Sequence, residues 1–226
     1  MLLDPTLLLA SSAVPNAARI TTPYLEVPAC PSKGTIKYSR SVPNKTGFPL
    51  TQVDLCYSQA SIEIDFTAYN ETNFFYNSSQ TTNDPIYQWE VMEAFISAGT
   101  NDPKTYLEFE ISPDNVTFNA IIYNPSKNRT EGQPFDTLYL QTPLEDGLVA
   151  TTELDKAKET WKSFVKIPFG LWNVDEGCGK GTNWRMNFFR TVVSPDTFPD
   201  QLLGAWNPPN EASFHITPYF GVVLFV

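Results

Sequence analysis

The sequence predicts an all-β fold, an antiparallel two-sheet β-sandwich with little helix. Two observations support this prediction. Aromatic residues make up 14% of the chain, and 11 Gly and 19 Pro punctuate it, a mixture typical of many short strands joined by turns. Residues 61–69 alternate between apolar and polar side chains, which places Ile62, Ile64 and Phe66 on one face. With 226 residues the chain is long enough to bury one sizeable core.

Strands are predicted wherever β-branched and aromatic residues fill a short run between turn residues. In chain order these runs are residues 35–38, 49–57, 61–69, 87–96, 105–112, 116–123, 138–142, 148–152, 161–168, 184–193 and 219–226. Residues 70–85 and 124–133 are polar loops, and residues 154–159 are interpreted as a turn. No internal repeat or linker interrupts the pattern, so residues 20–226 are expected to form a single domain.

Residues 1–19 are interpreted as a degraded secretion signal. A short apolar stretch precedes small residues suited to cleavage, but Asp4 interrupts it and no basic residue comes first. A disordered start and a wrongly assigned first exon remain as alternatives. Elsewhere no apolar run reaches the roughly 18 residues that a membrane-spanning helix needs.

The net charge of the chain and its N-glycosylation sequons indicate which binding partners and which cellular location to expect. The net charge of −10 repels phosphate backbones and anionic lipid, so nucleic acid and membrane surfaces are poor partners, whereas neutral sugars are permitted. The sequence does not indicate an oligomeric state. Five N-x-[ST] sequons favour a secreted, extracellular glycoprotein, although an Asn-rich sequence also produces such triplets by chance. They begin at Asn44, Asn70, Asn77, Asn115 and Asn128.

The three cysteines are an odd set. In an oxidising compartment Cys30 and Cys56 are the expected bridge, worth about 3 kcal/mol by loop closure, and Cys178 is then a loop thiol without a partner. A single His and the absence of Cys-x-x-Cys exclude zinc and iron–sulfur sites. We therefore expect no cofactor, and the one alternative is a structural calcium ion bound by Asp and Asn loops such as residues 101–102 or 196–200.

A carboxylate interrupts the apolar strand at residues 87–96. Alternation places Trp89, Val91, Glu93 and Phe95 on one side of that strand. A carboxylate among such neighbours is unfavourable without partners. Glu93 therefore either anchors a buried ion pair or faces a cleft where a polar ligand supplies hydrogen bonds.

The next strand has one polar face. Tyr106, Glu108, Glu110 and Ser112 alternate with Leu107, Phe109 and Ile111. Arg190, on a later strand, is our predicted partner for Glu93 or Glu110, because a bidentate pair would stabilise both charges. A purely structural ion pair is the alternative.

Five segments follow one another in a recognisable order. They are Tyr87 with residues 92–96 (MEAFI), residues 106–112 (YLEFEIS), Trp161 with residues 167–169 (IPF), residues 184–190 (WRMNFFR), and Trp206 with residues 220–224 (FGVVL). In this order they resemble the family 9 carbohydrate-binding modules, part of the wider DOMON-like group of β-sandwich domains. The resemblance covers roughly residues 20–226, and it implies a jelly-roll-like sandwich that binds sugars without cutting them.

The resemblance also implies a ligand site. In the related modules two aromatic residues clamp a sugar at a chain end, a strand Glu binds hydroxyl groups, and the polar face of the next strand reaches the ligand. The matching candidates, together with Arg190, are Tyr87, Glu93, Glu108, Glu110, Trp206 and Phe214, where Trp206 is an alternative to Phe214 as a clamp. The family usually has Trp at both clamp positions, and often Arg where this chain has Glu110.

The expected function is carbohydrate binding by a secreted, non-catalytic module, with a part in polysaccharide breakdown. One alternative is a glycoside hydrolase that uses a pair among Glu93, Glu108 and Glu110. A second is a haem-binding electron-transfer domain with His215 and Met92 or Met186 as axial ligands. A lone His is more often structural, and without a Gly-x-Ser-x-Gly elbow a nucleophilic triad is excluded.

Overall fold

A computed structural model describes residues 20–226 of the protein and confirms the all-β prediction. The predicted leader, residues 1–19, lies outside the described residues. Residues 20–226 form thirteen strands, β1 (Tyr24–Val27), β2 (Gly34–Val42), β3 (Gly47–Tyr57), β4 (Ser61–Tyr69), β5 (Val91–Ala98), β6 (Thr105–Ile111), β7 (Thr117–Tyr123), β8 (Asp136–Tyr139), β9 (Val149–Asp155), β10 (Thr160–Pro168), β11 (Asn183–Val192), β12 (Leu202–Ala205) and β13 (Gly221–Phe225). Short 3-10 turns lie at Ile86–Gln88, Phe169–Trp172 and Thr217–Tyr219. None of the helices in this range could cross a membrane.

The strands form one curled sheet that folds into two packed layers. Its order is β8-β7-β6-β5-β11-β12-β2-β3-β4-β10-β9, and β13 pairs with both β11 and β1. All of these pairs are antiparallel except β1 with β13. The short β12–β2 pair joins the two layers, so the sandwich is continuous at that edge.

The main core lies between the layers. Met92, Phe109 and Phe188 point inward from β5, β6 and β11, and Phe66 meets Phe188 edge to face, with ring centroids 6.2 Å apart. A second apolar cluster covers part of the outer face of the same three strands; it includes Val91, Phe95, Tyr106, Phe189 and Phe220. The middle strands of this layer are therefore buried on both faces, and the candidate site lies on the outer one.

The start of the strand predicted at residue 87 is wrong. Residues 86–88 form a 3-10 turn because the N–H of Gln88 bonds to Pro85 O and the N–H of Trp89 bonds to Ile86 O. The ladder begins only at Val91, and Trp89 stacks on Phe198 instead of sharing the face of Glu93. The sequence pattern does not predict the short strands β1 and β12, and β9 continues to Asp155, where the pattern predicts a turn.

The predicted disulfide is confirmed. Cys30 and Cys56 are bonded, with Cα atoms 5.0 Å apart, and they tie the segment before β2 to β3. Cys178 is exposed and free.

Of the five sequon asparagines, Asn77 is half-buried and its Oδ1 accepts hydrogen bonds from Ser79, while the others are exposed. Their glycosylation stays a prediction.

Candidate functional site

A cleft of about 700 Å³ opens on the outer face of β5, β6, β7 and β11. Three loops form its walls, namely residues 70–90 between β4 and β5, residues 124–135 between β7 and β8, and residues 206–216 after β12. Five of the residues proposed from the sequence line this one cleft, namely Tyr87, Glu93, Glu108, Glu110 and Phe214. Arg190 and Trp206 do not.

Three glutamates form the floor of the cleft, and we call them the carboxylate floor. Glu93 of β5 stands opposite Glu110 of β6, and Glu108 follows on the same face two residues away. Glu110 is fully buried, while Glu93 and Glu108 are 3% and 7% exposed. One oxygen of each carboxyl group lies within 4.8 Å of one oxygen of the other two. The pairing of β5 with β6 therefore brings the three acids together on one face of the sheet.

Burial and mutual repulsion suppress the charges of this floor. Burial and the charges of Glu93 and Glu108 raise the pKa of Glu110 well above its usual range. Burial and the charge of Glu108 do the same to the pKa of Glu93, although a hydrogen bond from Thr191 partly opposes the shift. For Glu108, burial raises the pKa to about 8, although the charge of Arg129 partly opposes the shift. Near neutral pH the floor therefore retains protons unless another positive charge joins it.

Aromatic side chains line one part of the cleft, and we call Tyr87, Phe118 and Tyr139 the tyrosine wall. Phe118 is buried and meets both tyrosine rings edge to face, at centroid distances of 6.3 Å to Tyr87 and 5.5 Å to Tyr139. Tyr87 is 47% exposed and Tyr139 is 46% exposed. Two partly open rings are thus held in place by one buried ring, an arrangement suited to stacking against a flat apolar ligand face.

The loop after β12 and the loop between β7 and β8 supply the other aromatic residues, Phe214 and Phe135. Phe214 stacks on Phe189 with ring centroids 4.2 Å apart, and it is only 8% exposed. Phe135 stands edge to face against His215 at 4.9 Å, and the guanidinium of Arg129 lies 4.5 Å from the centroid of the Phe135 ring. Phe214 therefore presents less of its ring to the cleft than Tyr87 does.

His215 links this loop to the carboxylate floor. Its Nδ1 lies 2.7 Å from Tyr106 Oη, and its Nε2 lies 3.8 Å from Glu108 Oε1. Burial, helped by the charge of Arg129, lowers the pKa of His215 to about 3. The imidazole is therefore neutral above that pH, and its contact with Glu108 is not an ion pair.

The prediction that Arg190 pairs with Glu93 or Glu110 is wrong. Strand β11 pairs Phe189 with Glu93, so Arg190 emerges on the opposite face, towards the main core. There its guanidinium donates to Glu71 Oε2 at 2.7 Å and to the carbonyl of Tyr69 at 3.2 Å. Arg190 and Glu71 are both fully buried, so the pair is structural and lies beneath the cleft.

Trp206 is also placed outside the cleft. It packs against Phe188, with ring centroids 6.0 Å apart, and a methyl group on Gly221 would overlap its ring.

Asp102, a candidate for binding structural calcium, pairs with Arg185 at 2.6 Å, so that carboxylate already has a cationic partner.

Sequence reasoning missed part of the cleft. For Phe118 a signal existed, because it alternates with Ala120 and Ile122 and so marks the outer face of β7. For Tyr139 and the loop residues Arg129 and Phe135 no periodic signal exists, since loops and a four-residue edge strand do not reveal which way a side chain points.

No protein-family model matches the sequence. A protein of Arthroderma benhamiae, described as an extracellular protein, is 48% identical over 218 residues, a match that covers 96% of this chain and 97% of the relative. The chain belongs to the family of that extracellular protein. The predicted location is thereby confirmed as extracellular, and the Cys30–Cys56 disulfide is consistent with it.

Solved structures with low sequence identity share the fold. A candidate carbohydrate-binding protein of Bacteroides uniformis has a TM-score of 0.64 at 13% identity, covering 91% of this chain and 100% of that chain. A family 9 carbohydrate-binding module of Caldicellulosiruptor kristjanssonii, solved with cellotriose, has a TM-score of 0.55 at 11% identity and covers 89% and 93%. A family 9 module of the same organism, solved with glucose, has a TM-score of 0.55 at 11% identity, and the match covers 90% of this chain and 95% of that chain. The chain therefore has the fold of carbohydrate-binding modules.

Proposed function

We propose that this protein binds carbohydrate in the cleft between the tyrosine wall and the carboxylate floor. A sugar ring has a face of C–H groups and an edge of hydroxyl groups. Flat aromatic rings suit the face because they offer area with little rotamer entropy to lose, and charged groups suit the edge because they form strong hydrogen bonds. The half-exposed Tyr87 beside Glu93, Glu108 and Glu110 is the observation that carries this proposal.

The finer features of the proposal follow from the sequence resemblance. Residues 20–226 would act as one DOMON-like domain that is glycosylated and has no catalytic activity. The related solved modules hold glucose and cellotriose, so the end of a polysaccharide chain is the ligand that we favour. A role in polysaccharide breakdown would then belong to a partner enzyme.

The alternatives are less well supported by the geometry. A glycoside hydrolase needs two carboxyl groups flanking the scissile bond, whereas Glu93, Glu108 and Glu110 lie side by side on one floor. Haem ligation by His215 and a methionine needs both side chains on one face. Met92 and Met186 belong to the main core, across the sheet from His215.

Calorimetric titration with glucose, cellotriose and a panel of other oligosaccharides tests the proposal. We expect Tyr87→Ala to lose most of the affinity, because the stacking surface is removed. Tyr123→Ala is the matched control, since Tyr123 is similarly exposed, at 41%, but lies outside the cleft lining. Binding of no sugar by the wild-type protein, or equal binding by both variants, would refute the proposal.

A further inference from the structure

The carboxylate floor lacks the partners that buried acids usually have. Both oxygens of Glu110 are fully buried, and no N–H or O–H group of residues 20–226 donates to them. Within the same range no lysine or arginine forms an ion pair with Glu93, Glu108 or Glu110. Buried carboxylates elsewhere in the chain are different, since Glu71 has Arg190 and two backbone N–H groups. The floor is therefore incomplete as a structural ion cluster.

The spacing of the three acids fits a cation. Calcium takes oxygen ligands at about 2.3–2.6 Å, so two oxygens bound to one ion lie at most about 5 Å apart. The contributing oxygens of Glu93, Glu108 and Glu110 lie within 4.8 Å of one another. The unpartnered Glu110 is at the fully buried end of this group, while Glu93 and Glu108 retain slight exposure to the cleft. An ion held here would be bound from beneath and remain reachable from the cleft.

We propose that Glu93, Glu108 and Glu110 form a binding site for a hard divalent cation, Ca²⁺ in the extracellular medium, on the floor of the cleft. Three carboxylates suit Ca²⁺ or Mn²⁺ better than softer metals. The remaining coordination positions face the cleft, where water or two neighbouring sugar hydroxyls would fill them. That last step rests on the proposed carbohydrate binding, whereas the cation site itself does not.

His215 is positioned to support the site. Its Nε2 lies 3.8 Å from Glu108 Oε1, and its Nδ1 is held by Tyr106 Oη at 2.7 Å. In the tautomer that donates Nδ1–H to Tyr106, the lone pair of Nε2 faces the floor. The imidazole then acts as an acceptor for a water bound to the ion.

Cation binding by the sugar-free protein is the direct test. Protein stripped with a chelator is titrated with Ca²⁺ by calorimetry, and with Mn²⁺ by the loss of the free-ion signal in electron paramagnetic resonance. We expect one ion per chain with a Kd of about 10⁻⁴ to 10⁻³ M, the range of extracellular calcium modules. Glu110→Gln should weaken binding by at least about tenfold, because it removes a ligand charge without changing its shape.

Two controls keep the result interpretable. Glu153→Gln removes an exposed carboxylate far from the cleft lining and should bind the ion as the wild type does. Metal-free Glu110→Gln should melt no lower than the metal-free wild type, because it relieves repulsion in the floor. If it does melt lower, Glu108→Gln replaces it in the titration. Binding of neither ion at up to about 10 mM, or equal binding by the wild type and the glutamine variants, would overturn the cation site.

A second titration separates the site from the function. Sugar binding is measured with saturating Ca²⁺ and with a chelator, and we expect the affinity to fall by at least about tenfold without the ion. Equal affinity in both conditions would refute the participation of the ion in sugar recognition while leaving carbohydrate binding intact. Absence of sugar binding in both would refute the proposed function and leave the cation site to stand on the first titration.

Discussion

Replacing Arg190 with Met tests whether the buried ion pair is structural. The substitution keeps an unbranched apolar stem of similar length and removes only the guanidinium. Glu71 then retains the N–H groups of Asn73 and Phe74, at 2.8 and 2.9 Å, but loses its cation at 2.7 Å. Both partners are fully buried, so the loss leaves an uncompensated charge in the core.

The expected magnitude follows from that burial. Breaking one side of a buried pair lowers the free energy of unfolding by about 3–5 kcal/mol, and since Met fills part of the space we expect the lower end. The double variant Arg190→Met/Glu71→Gln should recover at least about half of the loss.

Urea unfolding monitored by tryptophan fluorescence provides the free energies, with sugar titration of the folded protein alongside. Because the pair lies on the core side of the sheet, stability should fall and the cleft should still bind. A loss below about 1 kcal/mol, or a double variant no more stable than the single one, would refute the ion-pair reasoning. Unchanged stability with abolished sugar binding would instead support Arg190 as a ligand residue.

Three further predictions concern stability alone. Burial and the charge of Glu71 raise the pKa of Glu90 from 4.5 to about 8, so its ionisation opposes folding. In a chelator, the ionisation of Glu90 should therefore lower stability by on the order of a few kcal/mol between about pH 5 and pH 9. Because the carboxylate floor also ionises with raised pKa values, Glu90→Gln should reduce the fall in stability, measured by urea unfolding at each pH, without abolishing it; an unchanged slope would contradict this prediction. The double variant Cys30→Ser/Cys56→Ser should lose about 3 kcal/mol in urea unfolding, and a loss below about 1 kcal/mol would show that the bridge constrains little. Gly221→Ala should lower the free energy of unfolding by about 1–3 kcal/mol, and with it the melting temperature, because the new methyl group overlaps the Trp206 ring. An unchanged melting temperature would mean that this ring moves aside freely.

The sequence predicted which residues share one face of a strand better than it predicted which residues stand opposite each other on neighbouring strands. Clean alternation located β4 at residues 61–69, and it placed Glu108 and Glu110 on the same face of β6. It did not show which residue of β11 stands opposite Glu93. A shift of one residue exchanges the two faces of a strand, so the partner of Arg190 could not be derived. Glu71 lies 119 residues earlier, in a loop without any periodic pattern.

The acidic floor is itself an argument for a ligand. Three buried carboxyl groups with oxygens within 4.8 Å of one another, on the face that also carries Phe95, Tyr106 and Phe189, would be more stable as apolar residues of similar volume, because their burial and repulsion oppose folding. A group that lowers stability without a structural partner points to binding, since perturbed acids in clefts are typical of functional sites. Replacing Glu110 with the Arg common in family 9 modules would supply the missing charge from within the chain. The native Glu110 leaves that charge to be supplied by protons or by a bound cation, and the titrations above distinguish the two.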